Sequence, residues 1–293
     1  MGLSLIGIST KARYNLFKSF ERDGMLKEIA ERIRALPPLP KTFTQINALF
    51  RDEQASIADL AKLIEEDPML IANLLKVANS PLYGFRREIK SVLQAVGLFG
   101  MSTTRSLVLD MSIKKLLNVD LVPYAISPEE FAQLSHMQSM LISKWYKNVD
   151  AASVDFLFLC ALLQESGKIL IADEIAKNDE TYAFRSELEN ALSVADVEKM
   201  FVGVTSSEVS ALIFEHWKFD KRMIEAIRFT ERTQDAPATI RAQSIALKIV
   251  KTAVAINAPL SERNINLALM LLNKEGLDSA PFLEAVESIK TSF

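Results

Sequence analysis

Glycine is scarce in this chain, with nine residues in 293, which is about 3% against a usual level of roughly 7%. Tight turns and phosphate-cradling loops rely on residues that take positive φ without strain. The scarcity therefore argues against sandwiches, barrels and glycine-looped nucleotide sites. Ten prolines instead divide the sequence into stretches that read as helices. With 49% hydrophobic residues the chain has ample apolar surface for a packed core, and its length fits one large or two modest domains.

The apolar periodicity predicts a helix over 25–36, with Met25, Ile29, Ile33 and Leu36 on one face, stopped by Leu36-Pro-Pro-Leu-Pro40. Ser56 and Asp59 form a capping-box-like start, with Leu60, Leu63 and Ile64 as the inner stripe. Asp67-Pro68 starts the next helix, buried through Leu70, Ile71, Leu74, Leu75 and Ala78 and ended by Asn79-Ser-Pro-Leu-Tyr-Gly84. Ser91 caps a short apolar helix ending near Gly100, and another covers 102–117. The polar, proline-bearing stretch 118–128 reads as the boundary between two lobes. Beyond it helical patterns fall near 129–147, 151–165, 185–193, 207–217, 221–233, 238–256, 262–275 and 280–290. No stretch alternates with period two between hairpin turns, and no fixed-period repeat is present. The expected fold class is all-α.

Two histidines and one cysteine restrict the chemistry. Most histidine-metal hydrolases place three or more imidazoles on one site, which this chain cannot supply. A single cysteine excludes an internal disulfide framework and suits a reducing compartment. Cys160, within the apolar run Phe156–Leu163, reads as a small buried thiol. That run is far short of the ~20 residues needed to cross a bilayer, and the first eight residues lack the basic region and small-residue cleavage site of a signal peptide. A cytoplasmic protein without membrane insertion is the expectation. There is no Gly-x-Gly-x-x-Gly, phosphate loop, nucleophile elbow, paired-cysteine zinc motif or His-Glu-x-x-His.

Residues 56–77 have the helix–turn–helix spacing of a DNA reader, but the second helix starts behind Glu65-Glu-Asp67 and presents mainly apolar side chains. Duplex phosphates repel such a lead-in, so nucleic-acid binding is disfavoured and the segment reads as an ordinary helical hairpin. Charge is unevenly spread. Arg86, Arg87 and Lys90 crowd one loop, while residues 173–198 carry eight acids against Lys177 and Arg185. Solvated helix faces account for most such runs; the sharper reading is that the three cations steer an acidic protein partner.

Several short motifs fall together in order and spacing. They are Leu36-Pro-Pro-Leu-Pro40, Asp67-Pro68, Ala78-Asn-Ser-Pro-Leu-Tyr-Gly84, Ile89-Lys-Ser-Val-Leu-Gln-Ala95 leading to Gly100, and Arg105-Ser-Leu107. In this arrangement the chain resembles the HDOD (HD-related output domain) family, and the resemblance continues loosely through Glu208–Trp217 and Ile224–Ile227, covering most of residues 20–235. It implies a two-lobed, all-helical bacterial signalling protein whose second lobe is a degenerate relative of the HD and HD-GYP metal phosphohydrolases. In those enzymes histidines and a His-Asp pair hold metals that activate water. Carried over, His136 stands at the first histidine position, Gln164-Glu165 replaces the His-Asp pair, Ser206 takes a downstream histidine position, and Thr230-Glu231 stand where a histidine pair often follows. Lys168 is expected near this pocket, paired with Glu165.

An amide and a hydroxyl are weak ligands, and two good ligands do not hold a catalytic metal. The expectation is thus a vestigial pocket formed by His136, Gln164, Glu165, Lys168, Ser206, Thr230 and Glu231, with no metal and no cofactor, either closed by a polar network or binding a small anion or nucleotide without turnover. The function implied is a non-catalytic output or scaffold module with signalling protein partners. The alternatives are a divergent metal-dependent phosphodiesterase or nucleotidase, and a DNA-binding regulator. The expected organisation is an N-terminal extension (1–24), an HDOD domain (25–235, with lobes 25–117 and 129–235) and C-terminal helices (236–293) on the second lobe. The apolar stretch Asn264–Leu272 is compatible with closing that lobe or with a homo-oligomer seam.

Overall fold

Side-chain caps start many of the helices. Ser56 and Asp59 form a reciprocal capping box, as do Ser127 with Glu130 and Thr205 with Glu208. The Asp67 carboxylate accepts from the backbone amides of Met69 and Leu70 while Pro68 occupies the first turn. These contacts satisfy amides that a helix leaves free at its start. The computed structural model describes residues 24–52 and 54–292, and contains no strand among them. The expected N-terminal extension therefore lies outside the described residues except for Gly24.

The helices are α1 (24–34), α2 (Lys41–Leu49), α3 (Ile57–Glu65), α4 (Pro68–Ala78), α5 (Val92–Phe99) and α6 (Met101–Leu117), followed by α7 (Pro128–Tyr146), α8 (Val154–Leu163), α9 (Gly167–Lys177), α10 (Thr181–Asn190) and α11 (Val194–Val202). The last five are α12 (Ser206–His216), α13 (Lys221–Arg228), α14 (Arg241–Ala253), α15 (Glu262–Lys274) and α16 (Ala280–Lys290). Gly100 separates α5 from α6 at φ 77°, a left-handed value that suits glycine. Three helices were not anticipated from the pattern: α2, α9 and α11.

Two hydrophobic cores organise these helices. The smaller gathers Ile46, Leu60, Leu74, Val96 and Leu107 from α2–α6. The larger gathers α7–α16, together with Met25, Ile29 and Ile33 of α1. Although α1 comes first in the chain, it lies against α9, where Arg32 pairs with Asp173 and Lys177 with Glu28 at 3.2 Å. Three helices belong to both cores, α2 through Phe43 in the larger and Ile46 in the smaller. In α8, Phe158 and Leu162 enter the smaller core while Leu157, Cys160, Ala161 and Leu163 enter the larger. In α6, Leu107 and Val108 face one way and Leu109 and Ile113 the other.

The C-terminal helices are built into the larger core. Leu247, Val250 and Ala253 of α14 are fully buried, α15 packs on α14, and Phe282 of α16 meets Trp145 of α7 edge-on at 5.4 Å. The Leu36–Pro40 segment is tied to the end of α12, where the Trp217 indole donates to Pro37 O (2.9 Å) and His216 Nε2 is hydrogen-bonded to Leu36 O (3.1 Å). The α3–α4 hairpin turns Leu70, Leu74 and Ala78 into the smaller core. No single described helix is long and apolar enough to cross a membrane; α5 and α6 are apolar together but meet at 116°.

Candidate functional site

One turn and three helices bring polar and charged groups into the centre of the larger core. A turn after α8 carries Gln164 and Glu165, α9 begins with Gly167-Lys168, α12 begins with Ser206, and α11 contributes Glu198. All of these residues are buried. The Lys168 ammonium lies 2.5 Å from Glu198 Oε1, 3.2 Å from Glu165 Oε2 and 3.0 Å from Ser206 Oγ, and 5.1 Å above the Tyr124 ring. Tyr124 donates its hydroxyl to Glu198 Oε1 (2.9 Å), and the Ser206 amide donates to Glu198 Oε2 (2.6 Å).

A second ammonium comes from α14. Lys251 donates to Ser207 Oγ (2.7 Å), lies 3.1 Å from Glu231 Oε1 and 3.8 Å from Glu165 Oε2, and touches Ser206 Oγ at 3.3 Å. Lys248, one turn earlier, pairs with Glu231 Oε2 at 2.7 Å. Gln138 of α7 completes the inner wall, donating to Glu165 Oε1 (2.9 Å) and Val254 O (3.0 Å) while accepting from Gln164 Nε2 (2.8 Å). Three ammonium groups thus meet three carboxylates.

Mutual neutralisation makes the burial tolerable. Desolvation would raise the pKa of Glu165, but Lys168 and Lys251 outweigh it and hold the carboxyl below its ordinary value. Burial acts the same way on Glu231, and Lys251 and Lys248 bring it down to about 2. For Lys251 desolvation works downward, and Glu165, Glu231 and Glu198 reverse it, holding the ammonium above the usual lysine value. Above the cluster opens a cavity of about 280 Å³. Its floor is Glu165, Lys168, Glu231 and Lys251, and its walls include Leu192, Leu267 and Met270.

The HDOD domain family model matches residues 36–233, more than half of the chain. The chain belongs to the HDOD family. Two solved structures are similar: a virulence factor from Campylobacter jejuni, 25% identical, with 92% of this chain and 97% of that one covered and a TM-score of 0.55, and a Shewanella amazonensis protein provisionally named a phosphohydrolase, 19% identical, with 90% and 93% covered and a TM-score of 0.66. A Treponema pallidum relative called an uncharacterized protein is 22% identical over 219 residues, covering 71% of this chain. The match spans 40% of that relative's length.

Of the residues that the HDOD resemblance singles out, the structure joins Glu165, Lys168, Ser206 and Glu231 directly, and Gln164 through Gln138. It does not join Thr230 or His136 to them. The Thr230 hydroxyl donates to Ala226 O (3.2 Å) within its own helical turn. The His136 ring is hydrogen-bonded through Nδ1 to the Tyr83 hydroxyl (2.8 Å), between α7 and the segment after α4. Two residues along a helix is about 200° of rotation, so His136 and Gln138 project from opposite sides of α7, and the glutamine takes the place on the cluster side. Arg86, Arg87 and Lys90 lie elsewhere, exposed on the loop before α5.

Glu198, Lys251, Lys248, Gln138 and Tyr124 were not singled out from the sequence. The signal available for two of them is a charge on a buried stripe. Lys251 follows Leu247 by four residues on α14, and Glu198 follows Ala195 by three and precedes Val202 by four on α11. A metal does not fit this donor set. Among the described residues no three His, Cys, Asp or Glu side chains are grouped to hold one, and the carboxylates that are present already face ammonium groups.

Proposed function

We propose that this HDOD protein is a non-catalytic signalling module that works through protein contacts, and that its second-lobe pocket is the relic of a metal phosphohydrolase site. The supporting observation is that Lys168 and Lys251 fill the space between Glu165, Glu198 and Glu231. Metal-assisted hydrolysis needs several anionic or imidazole ligands around one cation and an open position for water. Fixed ammonium groups neutralise the same carboxylates without polarising a water or leaving a coordination site. The histidine at the first family position, His136, is engaged by Tyr83. The smaller core then offers a rigid body for partner contacts, with Arg86, Arg87 and Lys90 exposed on it.

The test is elemental analysis of freshly purified protein combined with hydrolysis assays on cyclic dinucleotides in added manganese. The expected outcome is no stoichiometric metal and no turnover. Stoichiometric Mn, Fe, Zn or Ni with turnover abolished by Glu165→Gln would overturn the proposal.

The cavity above the cluster favours a second role alongside the first, in which a small anionic or nucleotide ligand binds there without being consumed. Lys248, part-exposed at the rim, is the cation such a ligand would meet. A nucleotide-dependent rise in Tm that is lost in Lys248→Ala supports this role, and an unchanged Tm across mono- and dinucleotides removes it.

A further inference from the structure

The loop that carries the exposed cations runs back along α5. Phe85 packs against Phe99 at the C-terminal end of that helix, ring centroids 5.4 Å apart, and Tyr83 meets the same ring at 4.9 Å. Six residues after Phe85, Ser91 caps the helix start by accepting from the Gln94 amide. Residues 86–90 therefore travel alongside α5 from one end to the other. Asn79 fixes their path, accepting from the Ile89 amide (2.8 Å) and donating to the Ile89 carbonyl (2.9 Å). With Ile89 buried, Arg86, Arg87, Glu88 and Lys90 face outward. Lys90 pairs with Glu88 at 3.2 Å, whereas Arg86 and Arg87 form no ion pair among the described residues.

Among the described residues, helix α5 itself has an unpartnered side. Val92, Ala95 and Val96 enter the smaller core, and Leu93, Gln94, Gly97 and Leu98 form the opposite strip. Leu93 is 51% exposed and Leu98 48%. Among the described residues, no other element comes within 4 Å of where a Gly97 side chain would begin, so the strip has a notch between its two leucines.

We infer that this strip and its two arginines form the docking surface for an acidic amphipathic helix of a partner protein. The inference rests on the signalling role proposed above and specifies its interface. Leucine-sized side chains of the incoming helix seat around the Gly97 notch, while its carboxylates meet the planar guanidinium forks of Arg86 and Arg87. Charge complementarity selects this occupant: the chain as a whole carries a net charge of −3, yet here the unpaired charge is positive. An anionic membrane is disfavoured because the nearby aromatic rings, Phe85 and Phe99, pack on each other and Glu88 sits within the patch. A duplex is disfavoured because two unpaired cations displace few counterions.

The test is site-specific photocrosslinking of the full chain in its native host, with p-benzoylphenylalanine replacing Leu93 and, as control, Tyr182, which is 86% exposed on α10. The expected result is a protein adduct at position 93 whose crosslinked peptide, sequenced by mass spectrometry, is acidic with leucine-like residues at helical spacing. Its yield should fall about tenfold in the Arg86→Ala, Arg87→Ala double variant and in Gly97→Leu, with circular dichroism melting unchanged. Lipid or nucleic-acid adducts, adducts indifferent to these changes, or no adduct above the Tyr182 control would overturn the inference. If affinity capture still recovers a partner that the double variant binds equally well, the surface assignment falls and the signalling role stands. If no partner is recovered at all, both fall.

Discussion

Gly167 marks a close approach of α9 to α12. A Cβ added there would collide with the Ser206 carbonyl oxygen and lie 2.7 Å from the Ser210 amide nitrogen and 2.9 Å from Val209 Cβ. Two of these are backbone atoms, which cannot swing aside. The crossing is also stitched by Ser210, whose hydroxyl accepts from the Gly167 amide (2.8 Å) and donates to Gln164 O (2.9 Å). Gly167→Ala should therefore destabilise by about 3 kcal/mol, read by urea unfolding, and a change within about 0.5 kcal/mol would contradict the close approach. His136 leads to a pH prediction. Burial, helped by Lys114, pushes its pKa from 6.5 down to about 3, so the folded protein holds the ring neutral where the unfolded chain would protonate it. Between those two values the unfolded state binds the extra proton, and stability falls as the pH is lowered, with a slope approaching about 1.4 kcal/mol per pH unit. His136→Gln should flatten that part of the stability–pH curve; an unchanged slope would place the acid sensitivity elsewhere.

Helix α8 fastens the two cores together because, beyond Asp155 in its first turn, it is apolar on all sides. Leu162 is 1% exposed and sits in the smaller core although its helix runs through the larger. Leu162→Ala should cost about 2–5 kcal/mol, and it should lower the midpoint of one cooperative transition rather than split it in two. Separate transitions for the two halves would show that α8 does not join them. The same helix explains what was legible beforehand. Capped helices with one apolar face, such as α3, α4 and α7, are readable because cap and stripe agree. α9 is buried continuously from Gly167 to Ala172, which leaves no polar face to set a period. α2 starts after Pro40 without a side-chain cap and buries only Phe43 and Ile46, and α11 places Glu198 on its inner stripe. The site divides similarly. Glu165, Lys168, Ser206 and Glu231 are found through spacing that the family shares, whereas Lys251 enters from a helix beyond that spacing, and its partners are chosen only in three dimensions. His136 stands at the first histidine position of the family pattern, but its ring is held by Tyr83, a partner 53 residues away that the pattern does not name.

At the scale of the whole molecule, the family match ends at residue 233 but the folding unit continues past it. Lys251 neutralises Glu165 and Glu231 from α14, and the Val254 carbonyl accepts from Gln138, which in turn orients Glu165. Removing α14–α16 would leave these buried carboxylates short of a cation, and loss of one partner from a buried pair costs about 3–5 kcal/mol. It would also strip Leu247, Val250, Ala253, Phe282 and Val286, all fully buried, from the larger core. Apart from Ala253, each of these side chains contributes about 1.5–3 kcal/mol of burial. Together these losses are as large as the roughly 5–15 kcal/mol by which a domain is stable. A chain ending at residue 235 is therefore expected to lack a cooperative thermal transition and to elute as aggregate on size exclusion, even though it keeps every residue of the family match. A monomer with a sharp melting transition would mean instead that the C-terminal helices are an accessory layer, with the charge cluster able to rearrange without Lys251.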